Sequence, residues 1–428
     1  MLDINYIREN PEKVKKGISA KGCDIKLVDQ TLMADKQYRE LLQEVEELRA
    51  QRNQAAKNKD IEKGKLIKAQ LGKKEEALAI IEQEFNNLLT SLPNLPAEGV
   101  PEGDESKNEV LRTVGEPKKL NFKVRDHVEL GEMLDIIDIE RAAKVSGSRF
   151  GYLKNEGVML ELALVNFAME TLVKEGFSPV IPPALIKKEI TEGLGYWQGG
   201  GNENYYLVMD LEENEQGLYL VGTGEHAVVP MLQGETLEAR ELPKKYAAFS
   251  PCFRREAGSY GKDTKGILRV HQFDKVEMVA FVKPDDDEVE RRKLLAISEG
   301  FMQALGLPYQ VVKLASGDLS IPAAETIDIE TWIPSQDKYR ETHSISTTGD
   351  FQARRLNIKY LPAGADKPAQ AGTNANEKKY VHILNGTALA IGRTIIAILE
   401  NYQQEDGSVK IPQVLQKYTG FAEIRPRK

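Results

Sequence analysis

The sequence predicts an α+β protein, an antiparallel mixed sheet flanked by helices, on a chain that opens with an antiparallel α-helical coiled-coil hairpin. Three observations support this. Between about Asp29 and Leu92 the 428-residue chain is rich in Glu, Lys, Gln, Ala and Leu, has no proline, and spaces its apolar residues as a coiled coil does. Pro93, Pro96 and Pro101 then fall within a polar run that ends this regularity. Beyond about Glu116, β-rich runs such as YYLVMD and GLYLVGTG mix with helical stretches, but without βαβ alternation or a GxGxxG turn, which argues against a Rossmann-type parallel sheet.

The hairpin follows from two apolar stripes. Tyr38, Leu41, Val45 and Leu48 alternate three and four apart and continue weakly to Ala55; Ile67, Leu71, Leu78, Ile81, Phe85 and Leu88 keep the same alternation, with Lys74 in one core slot. Between them KNKDIEKGK, with Gly64 and dense charge, marks a break. Arg52, Lys57, Lys59, Lys63, Lys65 and Lys68 outnumber Asp60 and Glu62 there. Such a run fits either a solvated coiled-coil face or an RNA-contacting arm. The proline-rich linker closes an N-terminal domain of residues 1–110, and residues 111–428 form the second domain.

Composition narrows the function classes. A hydrophobic fraction of 41% with 29% charged residues describes a soluble globular protein. No apolar run approaches the roughly 20 residues that cross a bilayer. The opening MLDINYIRENPEKVKKG lacks the apolar centre of a secretory signal, so the chain is expected in the cytoplasm. Cys23 and Cys252 are distant and support neither a disulfide framework nor a cysteine-built zinc site. The five histidines form no HxxxH or HxH pair, so a metal would be held by oxygen. A net charge of −8 argues against non-specific coating of nucleic acid and requires a local basic patch for RNA.

The segment from Ala248 to Met278 reads as strand, loop, strand, with Gly258, Gly261 and Gly266 in a basic loop. On alternation Arg269, His271, Phe273, Lys275 and Glu277 share one face of the second strand, which suits either a site or an exposed face with ion pairs. FRREAGSYGKDTKGILRVHQFDKVEM resembles motif 2 of the class II aminoacyl-tRNA synthetases in its seryl form. GFSPVIPP, Gly176 to Pro183, behind an amphipathic helix of about Glu156 to Lys174, resembles motif 1 of the same family. NGTALAIGRTI, Asn385 to Ile395, resembles motif 3 and opens a final helix in TALAIGRTIIAILENYQ.

The resemblance implies an ATP-dependent ligase that makes seryl-adenylate and loads tRNA(Ser), with tRNA(Sec) as a further acceptor. Arg254, Arg269 and Arg393 would be catalytic cations. Arg254 would bridge the amino-acid carboxylate and the α-phosphate, because a guanidinium fork matches both and stays charged when desolvated. Glu256 would accept from the adenine amino group, with the purine between Phe273 and Arg393. DKYRETHSISTTGDFQARR resembles the family's ATP and Mg2+ segment, which assigns Glu341, Thr342, His343 and Ser344 to ATP and Glu341 and Ser344 to Mg2+. The segment by itself also fits a surface turn. The serine pocket maps to Thr223, Gly224, Glu225, Arg254, Glu277, Asn385 and Thr387. A homodimer through motif 1 and tRNA contacts from Arg52, Lys57, Lys63 and Lys65 complete the implication. Two other readings stay open: a synthetase-like ligase that loads a carrier protein, and a non-catalytic coiled-coil scaffold.

Overall fold

A computed structural model describes residues 1–196, 203–210, 214–256, 265–362 and 377–427. It divides into two compact units, Met1–Leu95 and Pro96–Lys428. In the first, helices Ile4–Glu9 and Pro11–Ala20 precede the long helices Lys26–Lys57 and Ile61–Ser91. The long pair is closed by Val45, Ala55, Ile67, Leu71, Ile81, Phe85 and Leu89, all buried, and by Tyr38 stacked on Phe85 with ring centroids 5.8 Å apart. Lys74, the charged residue in an apolar slot, pairs with Glu44 of the other helix, and Arg49 pairs with Glu75 at 2.7 Å.

The turn between the helices lies at Asn58–Asp60, inside the predicted break KNKDIEKGK but toward its start and away from Gly64. Lys59 takes a positive φ of 56°, and the Asp60 side chain caps the next helix by accepting from the Lys63 amide at 3.1 Å. A capping aspartate therefore sets the turn, and Gly64 is absorbed into the second helix.

The second unit is built on an eight-stranded sheet. Its strands lie in the spatial order Glu109–Val114, Tyr309–Lys313, Glu325–Ile333, Lys338–Thr347, His382–Ala390, Gln272–Val282, Lys244–Phe253 and Ser178–Val180. Every neighbouring pair is antiparallel except the last, where Ser178–Val180 runs parallel to Tyr246–Ala248. The central Gln272–Val282 strand shows why the two sheet faces differ. Val276, Met278, Ala280 and Val282 join the large core with Leu160 and Leu164 of helix Glu156–Lys174, Phe301 and Met302 of Asp287–Leu305, and Ile395 and Ile398 of Ile391–Tyr402. Val279 and Phe281 enter a smaller core on the other face with Val228, Leu356 and Ile383. Phe273, Lys275 and Glu277 continue that second face and open onto a cleft.

Two segments depart from the sequence reading. Residues 96–110, read as part of the N-terminal domain, bond to the second unit: the Ala97 amide donates to Ala324 O, and the Pro101 carbonyl accepts from the Ser316 amide, each at 2.8 Å. In TALAIGRTIIAILENYQ, Thr387–Ala390 belong to a strand paired with Lys275–Glu277, and the helix starts at Ile391. Sheet pairing overrides the helical propensity of Ala-Leu-Ala here, and a shorter helix, Gln413–Thr419, follows.

Candidate active site

The cleft has a volume of about 660 Å³ and takes its lining from several separate stretches of the second unit. Lys244–Phe253 ends just before Arg254, whose Nε donates to Gly222 O at 3.1 Å and whose guanidinium carbon lies 5.3 Å from the Phe273 ring centroid. Arg254 is thus held between a backbone carbonyl and an aromatic face, which aims a permanent cation into the cleft. Glu256, two residues on, has a positive φ of 52°, a conformation that costs a non-glycine residue energy, and pairs with Arg269 Nε at 3.1 Å. Gly258 and Gly261 of the predicted loop lie outside the described residues. Arg269 and His271 precede the strand; the Nδ1 of His271 lies 2.9 Å from Arg254 O, beside the cleft wall.

Strand Lys338–Thr347 supplies the opposite wall. Its register against Glu325–Ile333 shifts between Ile329 and Glu330, leaving Thr342 as an extra residue, so Glu341, Thr342, Ser344 and Ser346 all line the cleft. His343 does not line it. Alternation turns that ring into the interior, where Nδ1 lies 2.8 Å from Thr342 Oγ1 and burial lowers its pKa to about 4. Arg393, at the start of helix Ile391–Tyr402, donates to Glu341 O at 2.8 Å and pairs with its carboxylate at 3.2 Å. Burial pushes the Glu341 carboxyl upward, but Arg393 and then Arg254 outweigh it and hold the group below the usual carboxylate range.

A second, more enclosed part of the cleft collects Thr223, Glu225, Glu277, Asn385 and Thr387. Thr223 Oγ1 donates to Glu277 at 3.2 Å, and Glu277 also pairs with Lys275. Glu225 accepts from Tyr196 OH at 2.9 Å and from Gln352 Nε2 at 2.8 Å; burial raises its pKa to about 7. The buried Nδ2 of Asn385 has no hydrogen-bond partner, a cost that a bound oxygen would remove. Gly224 does not line the cleft. It packs behind it, where an added Cβ would come within 3.1 Å of Ala248 and 3.5 Å of Glu277.

Sequence reasoning did not assign Tyr196, Tyr205, His226, Ser320, Ser346 and Gly392, which also line the cleft, and gave Lys275 no role beyond its strand face. Alternation from Glu277 could have given Lys275 a role; the others had no local signal. For a divalent cation, Glu341 and Ser344 both offer oxygens in the cleft lining, and the buried Asp328 has one carboxyl oxygen, Oδ1, without a partner. An oxygen donor set of this size suits Mg2+, which keeps most of its waters and bridges phosphates. Among the described residues no three His, Cys, Asp or Glu side chains cluster as a metal cage.

In the first unit Arg52, Lys57, Lys63 and Lys65 are all exposed around the helical turn. On the helix Glu156–Lys174 and the residues after it, Val158, Met159, Leu162, Val173 and Ile181 are exposed.

Residues 1–96 match the family described as the seryl-tRNA synthetase N-terminal domain, and residues 206–402 match the tRNA synthetase class II core domain (G, H, P, S and T). The serine–tRNA ligase of Thermodesulfovibrio yellowstonii is 42% identical over 99% of this chain and 100% of its own. That of Thermococcus onnurineus is 42% identical over 100% of this chain and 97% of its own. Among solved structures, seryl-tRNA synthetase from Pyrococcus horikoshii complexed with ATP is 40% identical, with a TM-score of 0.90 and full coverage of both chains. The cytoplasmic serine–tRNA ligase of Naegleria fowleri in complex with AMP is 32% identical, with a TM-score of 0.88 over 100% of this chain and 99% of its own. With both domains matched in order and relatives similar along their whole length, the chain belongs to the seryl-tRNA synthetases, the ATP-dependent class II serine–tRNA ligases.

Proposed function

We propose that the cleft catalyses both halves of serine transfer. In the first, a serine carboxylate oxygen attacks the α-phosphorus of ATP, the bond to the β-phosphate oxygen breaks, and pyrophosphate leaves. In the second, a hydroxyl of the terminal ribose of tRNA(Ser) attacks the seryl carbonyl and AMP leaves; tRNA(Sec) is the further acceptor. Two anions must approach in the first step, so catalysis depends on fixed positive charge and alignment. The observation that carries this reading is the Arg254 guanidinium, braced by Gly222 O and the Phe273 face between the Thr223–Glu277 pocket and the Glu341–Arg393 wall. Arg254 bridges carboxylate and α-phosphate, Phe273 and Arg393 enclose the purine, Glu256 accepts from its amino group, and Arg269 meets the terminal phosphates.

Glu341 and Ser344 would hold Mg2+, and Thr342 completes that wall. Bound there, the ion would neutralise charge on the phosphate oxygens. Glu225 and Glu277 receive the serine ammonium; Thr223, Asn385 and Thr387 surround its side chain. A pocket built for a hydroxyl rejects alanine because its own buried polar groups would lose their partners.

The exposed Val158, Met159, Leu162 and Ile181 support a homodimer through motif 1, in which a second copy would cover them. Arg52, Lys57, Lys63 and Lys65 would meet tRNA phosphates and shape. No described helix is long and apolar enough to cross a membrane. Amino-acid-dependent ATP–pyrophosphate exchange across all twenty amino acids tests the reading. Exchange with serine alone is expected; none with serine, or equal exchange with alanine, contradicts it.

A further inference from the structure

Behind the nucleotide wall lies a buried chain of hydrogen bonds that the proposed reaction does not use. Glu400, fully buried on helix Ile391–Tyr402, accepts through Oε1 from the His127 amide at 3.0 Å, with His127 Nδ1 at 3.2 Å, and through Oε2 from the Ser335 amide at 2.9 Å. The far nitrogen of His127, Nε2, accepts from the Ile267 amide at 3.3 Å. That acceptance fixes the tautomer: the proton sits on Nδ1 and is donated to Glu400. Beside it, Asp126 caps helix His127–Met133 and pairs with Lys265. Gly266 is pressed so closely against the ring that an added Cβ would lie 1.9 Å from Nε2.

The three segments that meet at this chain each carry nucleotide-wall residues. Helix Ile391–Tyr402 holds Arg393; the turn Pro334–Gln336 leads into the strand with Glu341 and Ser344; and Ile267 begins the stretch Ile267–Val270, which lines the cleft and includes Arg269. The contacts span 273, 65 and 140 residues of sequence, so none follows from local folding. We infer that His127 and Glu400 are positioning residues that set the ATP half of the cleft, with His127 Nε2 holding the Ile267–Val270 stretch in register with Arg393 and Glu341. The inference rests on the assignment of that half to ATP. It leaves the serine half, built from Thr223, Glu225, Glu277, Asn385 and Thr387, untouched.

Two amide variants separate the nitrogens of the ring. His127→Gln carries its terminal amide near the Nε2 position and keeps an acceptor for Ile267; His127→Asn reaches only the Nδ1 position and keeps the link to Glu400. Calorimetric titration of ATP and of serine into the full chain, with thermal melts, reads both halves. The expected result is about a tenfold loss of ATP affinity in His127→Asn, at most about threefold in His127→Gln, and serine affinity within about twofold in both. Gly266→Ala, which displaces the same stretch by bulk, should match His127→Asn. Equal ATP losses in the two histidine variants, or parallel losses of ATP and serine that follow the fall in melting temperature, would overturn the inference. Wild-type pyrophosphate exchange serves as the separate control: its absence would refute the proposed reaction, while the difference between the two variants in ATP affinity would still decide the positioning role.

Discussion

Arg393 places one guanidinium nitrogen 2.8 Å from the main-chain oxygen of Glu341 and 3.2 Å from its carboxylate, joining a helix start to a strand 52 residues earlier. The pair does two things at once. It keeps Glu341 ionised at the edge of a cleft, and it holds a cation over the site assigned to the purine.

Glu341→Gln keeps the size of the side chain and removes its charge. The Mg2+ concentration for half-maximal pyrophosphate exchange should rise by about tenfold or more, because a carboxylate ligand becomes a neutral one. Serine KM at saturating Mg2+ should stay within about twofold. An unchanged Mg2+ requirement would remove Glu341 from the proposed ion site.

Thr223→Val replaces a hydroxyl that donates to Glu277 by a methyl group of similar volume. A buried bond to a carboxylate is lost, so kcat/KM for serine should fall about 10- to 100-fold with ATP KM unchanged. Steady-state exchange kinetics check this, and a fall in ATP affinity instead would place Thr223 outside the serine pocket.

Glu225 titrates near 7 because burial outweighs its bonds from Gln352 and Tyr196. An unfolded glutamate titrates near about 4.3, so between there and about 7 the folded chain holds the extra proton, and stability falls as pH rises through that window. Ionisation, in turn, creates the charge proposed to receive the serine ammonium. Serine KM should therefore drop between pH 6 and 8 while the melting temperature also drops. Glu225→Gln should gain more melting temperature over wild type at pH 8 than at pH 5.5 and should lose serine binding. Melts that show no such difference would remove Glu225 from this account.

Neutralising Lys57, Lys63 and Lys65 to glutamine should weaken tRNA charging and spare serine-dependent exchange. Three phosphate contacts fewer should lower the slope of log affinity against log salt by about 2. Filter binding of tRNA across a salt series measures it; equal loss of charging and exchange would mean that the variant damages the fold instead.

Much of the cleft was legible in the sequence because its residues fall in short runs that resemble family motifs. Arg254 and Glu256 lie two residues apart, Phe273 and Glu277 alternate on one strand, and Asn385, Thr387 and Arg393 fall within nine residues. Coiled-coil spacing likewise marked the hairpin helices, although the aspartate cap that places their turn outweighed the glycine that was read as the break. What escaped was set by distance or by register. Tyr196 and Gln352 reach Glu225 from 29 and 127 residues away, so no local pattern announces them. His343 was assigned to ATP with its neighbours, yet one extra residue at Thr342 decides which side chains face the cleft, and an unaligned strand does not reveal its own bulge.

Single-turnover formation of seryl-adenylate by Arg254→Ala, in the absence of tRNA, tests the central claim most directly. Loss of the bridging guanidinium should slow adenylate formation about 100- to 1000-fold, the effect of removing one preorganised group that stabilises transition-state charge. Thermal stability should change little, since the side chain braces a loop carbonyl and not the core. Adenylate formed at the wild-type rate by a folded Arg254→Ala protein would contradict the mechanism.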